Sequence, residues 1–369
     1  MKKKDFNSSA LSSAVEPLLA WYRTNKRPLP WRQSPTPYQV WISEIMLQQT
    51  RIEAVIPYYE RFLAELPTVK DLSLVDEERL MKLWEGLGYY SRARNLKKAA
   101  VAVMEKHGGC MPDTYEGLLS LPGVGPYTAG AIASIAFGLP EPAVDGNVLR
   151  VIARLTADER DVTKQGVKQD ITQTLRTVYP QAAEDASAMT QALMELGERV
   201  CLPNGVPLCD QCPLGLFCRA RAANLTDRIP VRAPKKPRRI EARTVFLLVS
   251  NGRVALIKRP PTGLLAGLWE FPTLVGEQTK AEAEHYLRDL GLSVSCLSPC
   301  VSAVHIFTHI EWHMKSYLAV CGELPDLWES TPVRAVTLDE LRANYAVGTA
   351  HRAFVQALEN EAKQYIDNT

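Results

Sequence analysis

Residues 121–130 read LPGVGPYTAG, a turn rich in glycine and proline that leads directly into the apolar pattern of a helix. Glycine adopts positive φ without a Cβ clash, and Pro126 suits the first helical position because its missing N–H group would be unpaired there anyway. Gly123 and Gly125 leave the backbone open to close approach by another molecule. Because the first N–H groups of a helix attract anions, two interpretations stay open: a phosphate-binding hairpin, or a plain connection between packed helices.

The sequence on either side of this turn has a helical pattern up to residue 228. Apolar residues recur every three to four positions in stretches such as VWISEIMLQQT (40–50), YTAGAIASIAF (127–137) and AMTQALMELGERV (188–200). Residues 229–243 differ, because they are proline-rich, contain six Lys or Arg against one Glu, and show no apolar period. They predict an exposed linker.

The chain after the linker is predicted to mix strands and helices. Apolar runs on both sides of Asn251 and Gly252 predict a β-hairpin with a type I′ turn. Further strands are expected within 301–320, and helices within 279–292 and 350–366. The sequence therefore predicts an all-α domain over 1–228, a linker over 229–243 and a smaller α+β domain over 244–369.

Length and charge limit the possible functions only loosely. A chain of 369 residues can form two or three domains with their own cores. The formal net charge is only +2, so any nucleic-acid interpretation depends on local geometry. No apolar run approaches the roughly 18 residues of a membrane-spanning helix, and the N-terminal residues lack the apolar core of a signal peptide. We therefore expect a cytoplasmic protein with no membrane partner.

Two carboxyl groups are candidates for catalysis. Glu44 has mostly apolar helical neighbours, which would raise its pKa and suit it to general-acid work; alternatively, it lies on the one wet edge of a core helix. Asp145 follows two prolines and precedes a helical period, so it is predicted to cap a helix, whose positive end would keep the carboxylate ionised. One raised and one lowered pKa give the acid–anion pair that cleaves glycosidic bonds through a cationic sugar.

Four cysteines cluster directly after a helical stretch, at Cys201, Cys209, Cys212 and Cys218. In a reducing compartment such a cluster indicates a metal site rather than disulfides. A zinc ribbon would show two C-x-x-C pairs, whereas only one is present. A four-thiolate iron–sulfur cluster fits a single compact loop at least as well, and four unligated cysteines are the least expected alternative.

The hairpin, the Asp145 loop and the cysteine loop occur in the order found in the helix-hairpin-helix DNA glycosylases. Over nearly the whole chain, the sequence resembles the MutY-type adenine DNA glycosylases. The similarity is carried by LPWR (29–32), SEIMLQQT (43–50), WEGLGYYSRARNL (84–96), LPGVGPYTAG, PAVDGNVLRV (142–151), the cysteine loop, GLLAGLWEFP (263–272) and HIFTH (305–309). It implies an all-α glycosylase domain, with its hairpin at 121–127 and an iron–sulfur cluster loop at 201–218, followed by an α+β Nudix-like domain.

The resemblance implies that adenine mispaired with 8-oxoguanine or guanine is removed from duplex DNA after being flipped into a pocket. Glu44 would protonate the leaving adenine and then help to activate water. Asp145 would stabilise the cationic sugar or bond to it transiently, and Tyr127 and Asn147 would support both groups. The positions that match the family's adenine pocket are Trp31, Arg32, Leu47, Ile52 and Gln191.

The resemblance also assigns residues to the DNA and to the damaged guanine. The positions that match the residues wedged into the duplex, where they fill the stack left by the flipped base, are Gln49, Thr50, Leu87 and Tyr89. The backbone at Gly123 and Gly125 would hold a DNA phosphate. In HIFTH, Phe307, Thr308 and His309 would contact oxoguanine; Thr308 replaces the serine usual in the family and keeps the hydroxyl group.

Two departures from related families affect the remaining assignments. The resemblance implies that the four cysteines hold a [4Fe–4S] cluster, but seven residues separate Cys201 from Cys209 where the family usually has six. The Nudix hydrolases need an R-E-x-x-E-E run for their metal site, and the corresponding stretch here is EHYLRD (284–289). A hydrolase site is therefore not expected in the second domain.

The residue after the hairpin separates two branches of the superfamily. The lyase branch has a lysine there, which attacks the sugar and forms a Schiff base, whereas this chain has Tyr127. We therefore expect a monofunctional glycosylase that acts as a monomer and associates with the nucleoid through DNA. The competing functions are an endonuclease III-like lyase, a hydrolase of oxidised nucleotides and a non-catalytic lesion-binding module. The last needs neither Glu44 nor Asp145.

Overall fold

The structure is a computed structural model that describes residues 8–234 and 237–361. It forms two compact units, one from the described residues of Met1–Leu74 and Asn95–Pro234, the other from those of Val75–Arg94 and Lys235–Thr369. The sequence did not predict that segment 75–94 groups with the second unit. Residues 235 and 236 of the predicted linker, and 362–366 of the predicted last helix, lie outside the described residues.

The described chain before residue 234 is helical, as predicted. Its helices are α1 (Ser8–Asn25), α2 (Pro37–Leu47), α3 (Ile52–Glu65), α4 (Val69–Leu74), α5 (Glu77–Leu83), α6 (Ser91–Lys106), α7 (Tyr115–Leu119), α8 (Pro126–Phe137), α9 (Gly146–Thr156), α10 (Gln165–Arg176), α11 (Ala183–Arg199) and α12 (Arg219–Ala222). Short 3₁₀ turns occupy Pro30–Arg32 and Cys209–Gln211.

Local sequence signals explain where the site-bearing helices begin. α2 follows a capping box, in which Thr36 accepts from the Gln39 N–H and the Gln39 side chain accepts from the Thr36 N–H. α8 starts at Pro126, as expected for a first helical position, and α9 is capped by Asp145. Because the first residue of each helix is fixed, the directions of the side chains in its later turns are fixed as well.

Two glycines let the Asp145 loop pack tightly in the first unit. A Cβ atom at Gly130 in α8 would lie 2.4 Å from the Pro142 carbonyl oxygen, and one at Gly197 in α11 would lie 2.6 Å from Asn147 Cβ. Any larger residue would push the loop away. The surrounding core comes mainly from α1, α9, α10 and α11, including Leu18, Leu19, Val148, Ile152, Ile171, Leu175, Leu193 and Leu196.

The second unit is built on a mixed sheet, which confirms the α+β prediction. Its strands are β1 (Arg239–Ser250), β2 (Arg253–Lys258), β3 (Trp269–Glu270), β4 (Thr273–Val275), β5 (Val294–Ile306), β6 (Ile310–Cys321), β7 (Leu327–Trp328) and β8 (Thr331–Val336). The main order is β5-β6-β1-β2-β8-β7, with β1 and β6 parallel and β5 and β6 antiparallel. The helices after residue 237 are α13 (Lys280–Asp289), α14 (Leu338–Asn344) and α15 (Arg352–Glu361).

The strand β1 begins and ends as its partners require. The predicted hairpin is confirmed, because Ser250 pairs with Arg253 across Asn251 (φ 48°) and Gly252 (φ 72°). At its other end β1 already starts at Arg239, inside the predicted linker, because it pairs in parallel with β6 from that residue on. A basic stretch without an apolar period gave no signal of this pairing.

Alternate residues of β1 face two separate cores. Val245, Leu247 and Val249 pack with Phe354 and Leu358 of α15. Phe246 and Leu248 point to the other face, where they pack with Ala283 and Leu287 of α13. The sheet is thus covered by helices on both faces. Residues that could contact another molecule therefore lie at strand ends and in connecting turns.

Candidate active site

Glu44 and Tyr127 meet in the first unit. Glu44 lies in the last turn of α2 and is 5% exposed, and Tyr127 is the second residue of α8. The Tyr127 hydroxyl donates a 2.5 Å hydrogen bond to Glu44 Oε2. The tight hairpin in front of α8 therefore points the phenol at a buried carboxyl group, and the alternative of a wet-edge Glu44 is wrong.

The environment of Glu44 favours its neutral form. The pKa of Glu44 is raised to about 7, mainly by burial and also by the negative charge of Asp145, while the Tyr127 hydrogen bond and the Arg32 charge partly oppose the shift. Burial also raises the pKa of Tyr127 well above its ordinary value, so the phenol stays protonated and remains a donor. A proton is thus available on Glu44 near neutral pH, as general-acid catalysis requires.

Asp145 is a helix cap held through both carboxylate oxygens. Its Oδ1 accepts from the Val148 N–H at 2.8 Å and its Oδ2 accepts from Asn147 Nδ2 at 2.8 Å. The predicted pKa direction is wrong, because burial raises the pKa of Asp145 even though these hydrogen bonds and the Arg150 charge lower it. Desolvation outweighs the helix end, a balance that cannot be read from the capping position alone.

Arg150 fixes the orientation of the Asn147 side chain, and no sequence pattern identified it. Its Nη2 donates to Asn147 Oδ1 at 2.8 Å and to the Gly197 carbonyl oxygen at 2.7 Å, and its Nε donates to the Cys201 carbonyl oxygen at 2.7 Å. Because one face of Asn147 is fixed by Arg150, its amide nitrogen is directed at Asp145. The available sequence clue was the pair Arg150 and Arg154, which lie four residues apart on the apolar face of one helix. Two arginines buried on such a face need hydrogen-bond partners.

One cavity in the first unit is lined by most of the predicted site. The structure brings Glu44, Tyr127, Asp145 and Asn147 together with all five predicted adenine contacts. The residues that line it include Trp31, Arg32, Leu47, Thr50, Ile52 and Gln191. Thr50 was predicted as a wedge residue, and it lies here on the wall of the cavity.

Glu195 is a further polar group in this cavity that the sequence did not indicate. It is 1% exposed and accepts from Arg27 Nε at 2.6 Å and from Arg32 Nη2 at 2.9 Å. Burial alone would raise the pKa of Glu195, but the hydrogen bonds and charges of the two arginines lower it. Arg32 Nε is buried with no hydrogen-bond partner among the described residues, so this guanidinium keeps one donor available.

The hairpin glycines differ in their backbone. Gly123 has φ +75°, and a Cβ atom there would lie 2.5 Å from Asn95 Cβ, so no other residue fits. Gly125 has φ −93° and extended backbone, with nothing within 4 Å of a would-be Cβ atom. The expectation of positive φ therefore holds at Gly123 and is wrong at Gly125, where the open space in front of the helix is the distinctive feature.

Two predicted wedge residues have left-handed backbone. Gln49 has φ 61° and Tyr89 has φ 47°, conformations that are uncommon outside glycine and concentrate at functional sites. Both residues are exposed, whereas Leu87 is buried at 6% exposure. The sequence gave no indication of this backbone strain.

The predicted lesion-contact residues lie on a turn of the second unit. Phe307, Thr308 and His309 connect β5 and β6, and the Phe307 N–H donates to the Ile310 carbonyl oxygen at 2.9 Å. The Phe307 ring packs edge-on against Trp312, with ring centroids 4.8 Å apart. Thr308 and His309 are exposed, and the hydroxyl groups of Thr308 and Tyr89 are 3.3 Å apart.

The four loop cysteines lie near one another and are all free thiols. The pKa of Cys212 is raised to about 11, mainly by burial and also by the charges of the other three cysteines, so the four side chains interact electrostatically. Arg154 Nη1 donates to Cys201 Sγ at 3.3 Å. Within the described residues, no three His, Cys, Asp or Glu side chains are placed to hold a single metal ion.

This donor set fits a cluster better than a single ion. In a four-iron cluster each thiolate binds a different iron atom, so the sulfur atoms need not converge on one point. A zinc ion would require all four sulfur atoms at about 2.3 Å from one centre. The Arg154 donor also suits an anionic cluster, whose sulfur atoms accept hydrogen bonds.

In the described helices, no segment is both long and apolar enough to span a bilayer.

The chain matches known protein families in both of its parts. Residues 42–177 match the HhH-GPD superfamily of base excision DNA repair proteins, and residues 244–357 match the NUDIX domain. Adenine DNA glycosylase from Homo sapiens is 36% identical to this chain, over 93% of this chain and 73% of its own length.

Solved structures agree with the helical part. A thermostable thymine-DNA glycosylase is 26% identical, with a TM-score of 0.53 over 59% of this chain and 100% of that protein. Endonuclease III, trapped as a covalent intermediate with DNA, is 25% identical, with a TM-score of 0.50 over 59% of this chain and 98% of that protein.

Proposed function

Because this chain belongs to the adenine DNA glycosylases of base excision repair, we propose that it removes adenine placed opposite 8-oxoguanine or guanine in duplex DNA. The observation that carries the proposal is the cavity in which Glu44, Tyr127 and Asp145 converge with the predicted adenine contacts. A flipped adenine in this cavity would have an acid on one side and a carboxylate for the sugar on the other.

Glu44 supplies the proton. Its Oε2 is occupied by the Tyr127 hydroxyl, so the proton is carried on Oε1 and is directed at the base rather than at the protein. With a pKa of about 7, a large fraction of Glu44 is protonated at physiological pH. After the transfer, the Glu44 carboxylate accepts a proton from the attacking water.

Asp145 stabilises the positive charge that develops on the sugar as the base leaves. The hydrogen bonds from Val148 and Asn147 hold its two oxygens in a fixed orientation, so little reorganisation accompanies the reaction. Its raised pKa belongs to the DNA-free protein, and a cationic sugar within contact distance favours the ionised form. The same carboxylate is positioned to bond transiently to the sugar.

The chemistry proposed is hydrolysis without strand cleavage. A lyase needs an amine to form a Schiff base, and the described lining of the cavity contains no lysine. Tyr127 occupies the position of the lyase lysine, and its protonated phenol forms no imine. We therefore favour a monofunctional glycosylase over an endonuclease III-like lyase. We propose that it acts as a monomer on the chromosomal DNA.

The oxoguanine is proposed to be recognised by Phe307, Thr308 and His309, with Gln49, Thr50, Leu87 and Tyr89 at the duplex. The exposed hydroxyl groups of Tyr89 and Thr308 support this, since two donors lie side by side at a strand turn. The backbone N–H groups behind Gly125 support a phosphate contact at the hairpin.

The cysteines at 201, 209, 212 and 218 are proposed to hold a [4Fe–4S] cluster. Such a cluster would cross-link the loop and would supply redox chemistry, while Arg154 compensates its charge.

An excision assay on three duplexes tests the proposed function. Adenine is placed opposite oxoguanine, guanine or thymine, and strand cleavage by alkali reports abasic sites. We expect the fastest excision opposite oxoguanine, slower excision opposite guanine and none opposite thymine. Equal rates on all three, or no excision on any, would refute the proposal.

A further inference from the structure

Segment 75–94 carries two of the proposed wedge residues, Leu87 and Tyr89, and belongs to the same unit as the lesion-contact turn of residues 307–309. It lies within the part of the chain that matches the helical repair superfamily, yet it groups with the second unit. It contains α5 and the following turn of residues 84–90, which we call the wedge turn, and this turn carries Leu87 and Tyr89. The wedge turn therefore shares a compact unit with the lesion-contact turn of residues 307–309.

Lys82, in the last turn of α5, is bound to the end of α14. Its Nζ donates to the carbonyl oxygens of Leu341 and Tyr345, at 3.3 Å and 3.1 Å, and its side chain is only 14% exposed. The last carbonyl groups of a helix lack intrahelical partners and carry partial negative charge, so an ammonium group is favoured there. A neutral side chain could not replace both contacts.

Glu85 continues this connection on the wedge turn itself. Its Oε2 lies 2.6 Å from Lys82 Nζ, and its Oε1 accepts from the Val347 N–H at 2.8 Å. The carboxylate thus bridges the lysine and the backbone that follows α14. Gly86, the next residue, has φ 101°, so the chain turns sharply immediately after this anchor.

The contact at the tip of the wedge turn is weak by comparison. Tyr89 and Thr308 share one neutral hydrogen bond of 3.3 Å between exposed hydroxyl groups. Such a bond competes with water, whereas the contacts of Lys82 and Glu85 are charge-assisted and mostly buried. Among these contacts between the wedge turn and the rest of the second unit, those at the base of the turn are therefore stronger than the one at its tip.

We propose that Lys82 and Glu85 are positioning residues for lesion discrimination, which hold the wedge turn in register with residues 307–309. The inference rests on the proposed function, since it concerns how that enzyme distinguishes oxoguanine from guanine. Neither residue lies in the catalytic cavity, and neither is assigned to touch the DNA.

The test compares Lys82→Met and Glu85→Gln with two controls. Lys82→Arg keeps the positive charge, and Glu78→Gln removes an exposed ion pair between α5 and Lys258, which contributes little. For each protein we measure single-turnover excision opposite oxoguanine and guanine, and binding to the same duplexes with a non-hydrolysable adenosine analogue. Thermal unfolding is recorded for all variants.

Lys82→Met and Glu85→Gln are expected to lower the oxoguanine-to-guanine ratio, in rate and in binding, by roughly tenfold, the effect of one charge-assisted hydrogen bond. The guanine rate should stay within about twofold of wild type, Lys82→Arg should recover most of the ratio, and Glu78→Gln should not change it. An unchanged ratio in Lys82→Met, or equal losses on both duplexes with a lowered unfolding temperature, would overturn the proposal. Failure of the proposed function has a separate signature, the absence of excision by the wild type, and the binding ratios still decide the role of Lys82.

Discussion

At the scale of single residues, Glu44 shows how catalysis and stability oppose each other in one side chain. The carboxyl group is buried against the Tyr127 hydroxyl, and its pKa of about 7 lies well above the ordinary value near 4.5. The folded protein therefore prefers the neutral form. Between about pH 4.5 and 7 the unfolded chain ionises this group while the folded protein keeps it neutral, so the free energy of unfolding falls over this range and the full loss is reached above pH 7.

Glu44→Gln is expected to be more stable than the wild type above about pH 4.5, by an amount that grows until about pH 7 and is constant beyond it. Glutamine resembles the neutral acid, so the two proteins should be about equal near pH 4, where Glu44 is protonated in both the folded and unfolded states. Above pH 7 the variant should gain up to about 3 kcal/mol in the free energy of unfolding, from a pKa difference of roughly 2.5 units. Urea unfolding at pH 4, 6 and 8 measures the difference.

The same variant should remove no adenine while its affinity for a lesion duplex stays within a few-fold of wild type. In the wild type, the excision rate should fall as the pH rises through about 7, because the acid loses its proton. Excision by Glu44→Gln near the wild-type rate, or a stability gain that is the same at every pH, would contradict the role of the neutral acid.

Tyr127→Lys is expected to gain the covalent chemistry that the wild type lacks. Position 127 faces the same cavity as Asp145, so an amine there can attack the sugar and form a Schiff base. Borohydride should trap an enzyme–DNA adduct with this variant and little or none with the wild type. Tyr127→Phe is the matched control, because it removes the hydroxyl group and adds no amine. Efficient trapping by the wild type would assign it to the lyase branch.

Single residues also show the limits of sequence reasoning. Apolar neighbours at helical spacing suggest the burial of Glu44 that the structure shows, but they also fit the wet edge of a core helix, and only the family resemblance assigned this residue a role. The direction of the Asp145 pKa could not, since it depends on how much desolvation remains after its hydrogen bonds are counted. Glu195 was missed because its partners, Arg27 and Arg32, are far away in the sequence.

At the scale of elements, α9 connects the reacting centre to the cysteine loop. Its cap is Asp145, its first turn carries Asn147, and Arg150 and Arg154 reach the backbone or sulfur of Cys201. The loop is therefore attached to the helix that Asp145 caps. Its own exposed apolar side chains, Leu216 at 97% exposure among them, contribute little to its stability.

The cysteine loop is expected to bind a [4Fe–4S] cluster, visible as brown protein with broad absorption near roughly 400 nm. Cys212→Ser should remove the colour and destabilise the protein, because the loop loses its cross-link. Cys110→Ser and Cys296→Ser, at exposed cysteines outside the loop, should keep the colour. Absorption spectra and metal analysis distinguish the outcomes, and a colourless wild type with one zinc would contradict the cluster.

Elements with local signals were predicted well, and those set by distant partners were not. The Asn251-Gly252 hairpin needs only two residue types in the right place, and its register is as predicted. The start of β1 at Arg239 depends on a parallel partner some 70 residues away, and nothing in the basic stretch indicates it. The left-handed backbone of Gln49 and Tyr89 likewise follows from surrounding structure rather than from residue preference.

At the scale of the whole molecule, truncation after residue 234, where the first unit ends, is expected to weaken discrimination and leave the chemistry. The catalytic cavity lies entirely in the first unit, so slow adenine removal should persist. The fragment lacks Thr308 and the groups that hold Lys82 and Glu85, so the preference for oxoguanine over guanine should fall. Single-turnover rates on both duplexes measure the ratio.

The full-length variant Thr308→Ala is the control for this truncation, because it removes one proposed lesion contact and keeps the contacts of Lys82 and Glu85 with the second unit. Its preference should fall less than that of the fragment. A fragment with the full preference of the wild type would show that the second unit takes no part in reading the lesion.

The membership of segment 75–94 in the second unit has a consequence for how the chain comes apart. A protease that cuts once between residues 228 and 239 breaks the covalent connection between the two pieces. The carboxy-terminal piece still contacts residues 75–94 of the amino-terminal piece, through the hydrogen bonds of Lys82 and Glu85. The two pieces should elute together in gel filtration after the cut and separate only in denaturant. Pieces that part under native conditions would show that covalent continuity, rather than the grip on this segment, keeps them associated.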